Sequence, residues 1–283
     1  MKQKNVGILY IIMAAFFFAL MTFFVRKAGE LPTMQKAFFR NAVAMVISFF
    51  MLARSEEGFK IKKDSLFGLN MRSVCGTIGL ICNFYAVDHL NISDANMLNK
   101  LSPFFAIIMS AFILKEMADR FDWAMVALAF IGALFVVKPS FNVETVPALL
   151  GAAGGLGAGT AYTFVRKLGK QGERSQVIVM YFSTFSSLVT LPFFIFGYHP
   201  MTINQVIFLL LAGCFAAGGQ LSITKAYTKA PAKEISVFDY SQVIFAAILG
   251  YLFLQQKPDV YSMIGYVIII GAAVIKWQHG MKE

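Results

Sequence analysis

Four ionisable side chains, Arg40, Arg72, Lys100 and Asp239, lie inside otherwise apolar stretches. At the centre of a bilayer each would cost about 2.5–3.5 kcal/mol on insertion scales, so such residues face a cavity or a partner. Around Lys100, the residues Asn96, Asn99 and Pro103 keep i, i+3, i+4, i+7 spacing and share one helix face. Pro103 leaves a backbone carbonyl unpaired beside that face. A second polar group, Ser236, Asp239 and Tyr240, recurs later in the chain, and Gln220, Thr224 and Tyr227 form a third at i, i+4, i+7. Thr22, Asn83, Tyr162 and Tyr181 are further polar handles. This is the chemistry of recognition by charge and hydrogen bonds, directed at a small anionic or zwitterionic solute. Two alternatives stay open: the polar faces could bond one another as interhelical glue, and Arg40 and Arg72 could snorkel to the headgroups.

Bond-making chemistry is not indicated. His89, His199 and His279 fall in expected loops or the tail, and no apolar run carries paired carboxylates. Cys75, Cys82 and Cys214 sit in apolar runs without metal-ligand spacing. No metal or cofactor is called for, and an enzyme is not expected.

These side chains are carried by apolar runs of membrane-spanning length. Of 283 residues, 58% are hydrophobic and 14% charged, against roughly 25% charged in soluble domains. Spans are expected at 6–25, 34–53, 67–87, 94–114, 121–138, 148–165, 176–196, 203–223, 234–254 and 260–277. The fold class is therefore all-α integral membrane. The net charge of +10 reads as topology and not as a nucleic-acid footprint. With the N-terminus in the cytoplasm, Arg54, Lys60, Lys62, Lys63, Arg166, Lys167, Lys170 and Arg174 fall inside. The outer segments keep only Arg26, Lys27, Lys36, Lys138 and Lys257. Excess Lys and Arg mark the cytoplasmic side, so both termini are expected in the cytoplasm of a multi-pass protein of the cell membrane, most simply a bacterial cytoplasmic membrane. The first run ends at Arg26-Lys27 without a cleavage site. The sequon at Asn91 carries no weight as a short motif.

The chain also repeats itself. At an offset of 140 residues, Phe24-Val-Arg-Lys27 lies on Phe164-Val-Arg-Lys167, Gly79 on Gly219, Asp94 on Glu234, Phe105-Ala106 on Phe245-Ala246 and Asp119 on Asp259. The halves, 1–139 and 147–283, flank a linker containing Pro139, Ser140, Phe141 and Asn142. Each holds five spans, so the second is inverted relative to the first, the arrangement that lets a carrier expose one site to each side in turn. Inversion starts the fourth span outside and the ninth inside. It sets Arg40 and Lys100 together in the outer half, with Arg72 below at the level of Asp239. An Arg72–Asp239 ion pair is therefore expected, and a Lys100–Asp239 pair is not. Gly151, Gly155 and Gly159 repeat every four residues, a pattern for close helix approach that equally suits sliding.

The chain resembles the drug/metabolite transporter superfamily, specifically its EamA-type permeases, over essentially its whole length. The resemblance rests on the duplicated ten-span layout, on Leu98-Asn-Lys-Leu-Ser-Pro-Phe-Phe105, on Leu114-Lys-Glu116, on Gly132 in the fifth span and on Phe38-Phe-Arg40. In the second half Gln256 matches Glu116 and Val243 matches Pro103, a departure from the pattern. The resemblance implies a secondary carrier whose helices 1–4 and 6–9 surround a central cavity while 5 and 10 brace the outside. A channel or a non-transporting scaffold is the alternative. No filter segment and no phosphate-binding loop with Gly-Lys-Ser/Thr is visible, and a homodimer is left open. The candidate solute-binding set is Arg40, Asn96, Asn99, Lys100, Gln220, Thr224, Tyr227, Asp239 and Tyr240.

Overall fold

The computed structural model describes residues 2–90, 92–138, 145–255 and 258–282. Asn91, the linker 139–144, Gln256 and Lys257 lie outside these, as does the side chain of Asp94. Among the described residues the apolar runs become ten membrane-length helical spans. The first half comprises α1 (Lys2–Lys27), α2 (Thr33–Ala53), α3 (Leu66–His89), α4 (Ile92–Asn99), α5 (Ser102–Leu114) and α6 (Arg120–Val137). The second comprises α7 (Thr145–Lys170), α8 (Ser175–Phe196), α9 (Ile203–Lys229), α10 (Ala232–Ile235), α11 (Ser241–Leu254) and α12 (Val260–Lys282).

The fourth span is two helices, α4 and α5, because Pro103 at the start of α5 has no amide to continue the ladder. The ninth is also interrupted, by a 3₁₀ segment at Ser236–Tyr240 between α10 and α11. The duplication is visible in the backbone itself. α5 and α11 both end on a left-handed residue, Lys115 (φ 58°) and Gln255 (φ 55°), one repeat length apart. Asp119 then caps α6 by accepting from the Asp122 amide, and Asp259 accepts from the Ser262 amide at the start of α12.

Packing obeys the same symmetry. α3 against α7 is matched by α9 against α1, and α5 against α7 by α11 against α1, while α2–α8 and α6–α12 pair with their own counterparts. Glycines permit the closest of these approaches. A Cβ on Gly79 would stand 2.9 Å from the Gly154 carbonyl oxygen and the Ala158 amide nitrogen. Gly155 and Gly159 instead face the backbone of α4 and α5, so α7 presents two glycine faces and is wedged between two neighbours. α6 and α12 touch through Gly132 and Gly265 and are pinned at both ends, by Lys138–Asp259 at one face and Lys276–Asp122 at the other.

Both termini lie on one face, where Lys4 of α1 (2.6 Å) and Lys276 of α12 (3.7 Å) reach the same Glu234 carboxylate. α7 and α9 run past the expected ends of their spans on this terminal face, to Lys170 and Lys229. Arg166 and Lys170 are thus helical residues.

Candidate functional site

Between α2, α3, α7, α8 and α9, with Asn99 at one edge, lies a cavity of about 100 Å³. Its position along the helices puts it from mid-depth towards the face opposite the termini. Two arginines define it. Arg72 is 2% exposed. Its guanidinium lies 3.9 Å above the Phe182 ring and donates to Gln220 Oε1 at 3.1 Å, while its Nε is unpartnered. Space for it exists because Gly76, one turn on, has no side chain; a Cβ there would come 2.3 Å from Arg72 Nη1. Arg40 enters from α2, and its Nε is likewise buried without a partner. Asn83, Asn99 and Tyr162 complete the polar lining, and among the described residues none that lines it is a carboxylate. Two neighbouring cations with unsatisfied donors in a low-dielectric, aromatic-walled space form an anion-binding arrangement.

Lys100 is not part of that pair. Its ammonium reaches Gln242 Oε1 at 2.7 Å and Asp239 Oδ2 at 3.5 Å. The expected Arg72–Asp239 ion pair is replaced by Arg72–Gln220, and the Lys100–Asp239 contact that the inversion argued against is made. Lys100 is five residues into its span and Asp239 seven into the other. In a core of about 30 Å that leaves their Cα levels only about 12 Å apart. An extended lysine closes most of this gap, and the 3₁₀ rise of about 2 Å per residue lifts Asp239 further. Tyr240 Oη donates to the Lys100 carbonyl at 3.0 Å, tying the two interruptions together.

The remaining candidates divide. Gln220 and Asn99 line the cavity. Asn96 is exposed, although it lies in the same unbroken helix α4 as Asn99. Thr224 is fully buried outside the lining, and Tyr227 stands behind it, stacked on Tyr162 with ring centres 4.9 Å apart. Phe182 and Gly76 were not singled out from sequence. The Arg72-to-Gly76 spacing of one helical turn was a readable signal, whereas nothing separates Phe182 from the other 29 phenylalanines.

The terminal face is closed by polar contacts. Arg174 donates to the Gly58 and Lys60 carbonyls at 2.8 and 2.9 Å, and the Lys62 amide donates to Glu173 at 3.1 Å. At the end of α5, Glu116 meets Arg166 at 3.1 Å and Lys170 at 2.6 Å. Burial works to raise the Glu116 carboxyl, but Lys170 and Arg166 together hold it below its usual range. On the opposite face Gln35 and the His199 backbone exchange two hydrogen bonds of 3.0 Å.

Comparison with known proteins accords with this architecture. Residues 5–138 and 145–276 each match the EamA-like transporter family. The chain is 31% identical to the pseudopaline exporter CntI of Pseudomonas aeruginosa, over 95% of this chain and 94% of that protein. It is 24% identical to solute carrier family 35 member G1 of Homo sapiens (98% and 81%) and 26% identical to a riboflavin transporter of Brucella anthropi (86% and 87%). A solved crystal structure superposes with a TM-score of 0.81 at 14% identity, over 96% of both chains, a likeness of fold alone. With the family matched twice along one chain of ten apolar helices, this protein belongs to the EamA-like transporter family and is a multi-pass membrane transporter of a small molecule, not an enzyme.

Proposed function

We propose that the chain is a secondary carrier of small organic anions or zwitterions, working by alternating access between two inverted halves, 1–139 and 147–283. Its membrane is the bacterial cytoplasmic membrane, and the terminal face is cytoplasmic. The observation that carries the substrate charge is the pair Arg40 and Arg72, which share a cavity lined by no carboxylate among the described residues and keep unpartnered donors. Arg72 and Arg40 hold the anionic group, Asn99, Asn83 and Gln220 read its polar edge, and Phe182 and Tyr162 wall it in. About 100 Å³ is space for some three waters at about 30 Å³ each. In this conformation the site encloses an anionic head and not a whole metabolite, and the rest of the solute is taken up as the halves move apart. The 31% identity to an exporter favours outward flux.

The test is transport by the purified protein in liposomes against a panel of radiolabelled amino acids, nucleotides and vitamins. Losing one charge-assisted hydrogen bond costs about 1.5–3 kcal/mol. Arg72→Gln should therefore raise the KM of an accepted anion by roughly 10- to 100-fold, since each 1.4 kcal/mol is tenfold. An Arg40→Gln/Arg72→Gln double variant that moves the same solutes with the same KM would reject the assignment. Cysteines placed at Lys60 and Lys170 should both react with an impermeant reagent only from the cytoplasmic side.

A further inference from the structure

We propose that Asp239 and Gln242 form a cation site whose permanent occupant is the ammonium of Lys100, so that no proton or sodium ion is taken up there during transport. The coupling half of this statement rests on the reading of the chain as a carrier; the site itself does not.

A carboxylate this deep in the hydrocarbon must take a proton, bind a cation or meet a basic side chain. Asp239 lies seven residues into its span, at the 3₁₀ interruption, with its side chain 13% exposed. The oxygens gathered there, the Asp239 carboxylate and the Gln242 amide, are the hard donors that a small cation selects. Lys100 occupies that place, 2.7 Å from one and 3.5 Å from the other. It arrives from the α4–α5 interruption of the other half, so the pair joins the two broken spans. Neither Lys100 nor Asp239 lines the arginine cavity. Among the described residues, Tyr162 of α7, Tyr227 of α9 and the adjacent Tyr240 lie within electrostatic reach of Asp239. The charged residues Lys4, Asp122, Glu234 and Lys276, on the α1, α6, α10 and α12 elements packed against this segment, are engaged with one another at the terminal face.

The tethered ammonium should be replaceable by a free ion. In Lys100→Met the buried carboxylate has to recruit a proton or Na⁺ from solution. The full-length variant in detergent should unfold roughly 5 °C or more higher at about pH 5 than at about pH 8, measured relative to wild type. NaCl, but not choline chloride at equal ionic strength, should recover part of the loss at the higher pH. The double variant Lys100→Met/Asp239→Asn should show neither dependence. Recovery of folded double variant where the single variant cannot be purified would equally support the site. Two results overturn it: a Lys100→Met variant with the wild-type pH and Na⁺ profile, or a double variant as crippled as the single one, since the need would then be for packing. Unfolding is read without any solute, so a failure here is separable from a failure of the carrier assignment. With an accepted solute in hand, wild-type flux should be unaltered by an imposed pH or Na⁺ gradient, and a flux driven by either gradient would overturn the coupling claim.

Discussion

Gly76→Ala separates the needs of the fold from those of the site. The added methyl would stand 2.3 Å from Arg72 Nη1 and 2.9 Å from Phe182 Cε2, whereas non-bonded heavy atoms settle near 3.5 Å. The guanidinium must therefore move by about 1 Å. It is the free end of a flexible side chain, so the helix itself need not distort. The roughly 0.5–1 kcal/mol that alanine gains over glycine in a helix partly offsets the lost contacts, and thermal stability should fall by no more than about 2 kcal/mol. The site is less tolerant. A shift of that size stretches the 3.1 Å bond to Gln220 beyond useful hydrogen-bonding range. It also carries the cation off the Phe182 ring, where contact is worth about 0.5–2 kcal/mol. A loss of about 1.5–3 kcal/mol in solute binding follows, a roughly 10- to 100-fold rise in KM. The assay is concentration-dependent uptake into proteoliposomes, paired with thermal unfolding of the same preparation. An unchanged KM would refute the claim that the pose of Arg72 sets affinity, and a collapse in stability would show that the glycine serves packing instead.

Further outcomes follow from the charged ends of the bundle. Lys276→Met should destabilise by about 3–5 kcal/mol, because it strands the buried Asp122 carboxylate; Lys276→Met/Asp122→Asn should recover much of this in thermal unfolding. Glu116 has a folded-state pKa below its unfolded value. Its stabilising pairing is thus fully present above about pH 4.5 and lost as pH falls through the folded value. Glu116→Gln should lower the Tm at pH 7 and converge on wild type in acid. Gly265→Ala would bring a Cβ 2.5 Å from the Gly132 carbonyl oxygen. Backbone cannot yield there as a side chain can, so about 1–3 kcal/mol of destabilisation is expected.

The helical layout was readable because the bilayer imposes one length on every apolar run, and a duplication leaves glycine and charge matches at one offset. A loosened backbone at Pro103 was readable from its missing amide, whereas the full break into two helices was not. The partners of the charges were less legible. Depth arguments locate Cα atoms, but Lys100 works at the end of a long stem, and the 3₁₀ segment alters the rise before Asp239. Arg72 chose a neutral amide and an aromatic face over an acid, a preference that no spacing rule encodes. The helical face carrying Asn96 failed within α4 itself, where Asn96 is exposed while Asn99, three residues on, lines the cavity.

The pairing of α6 with α12 has a mechanical consequence. Glycine-to-glycine contact at its middle and an ion pair at each end resist sliding and splaying of these two helices, the buried Lys276–Asp122 end most. On the carrier reading proposed above, the halves would rock about this post as a door turns on its hinge pin. Distance probes fixed to both should read a constant separation through the whole transport cycle, while the same probes on α3 and α8 swing.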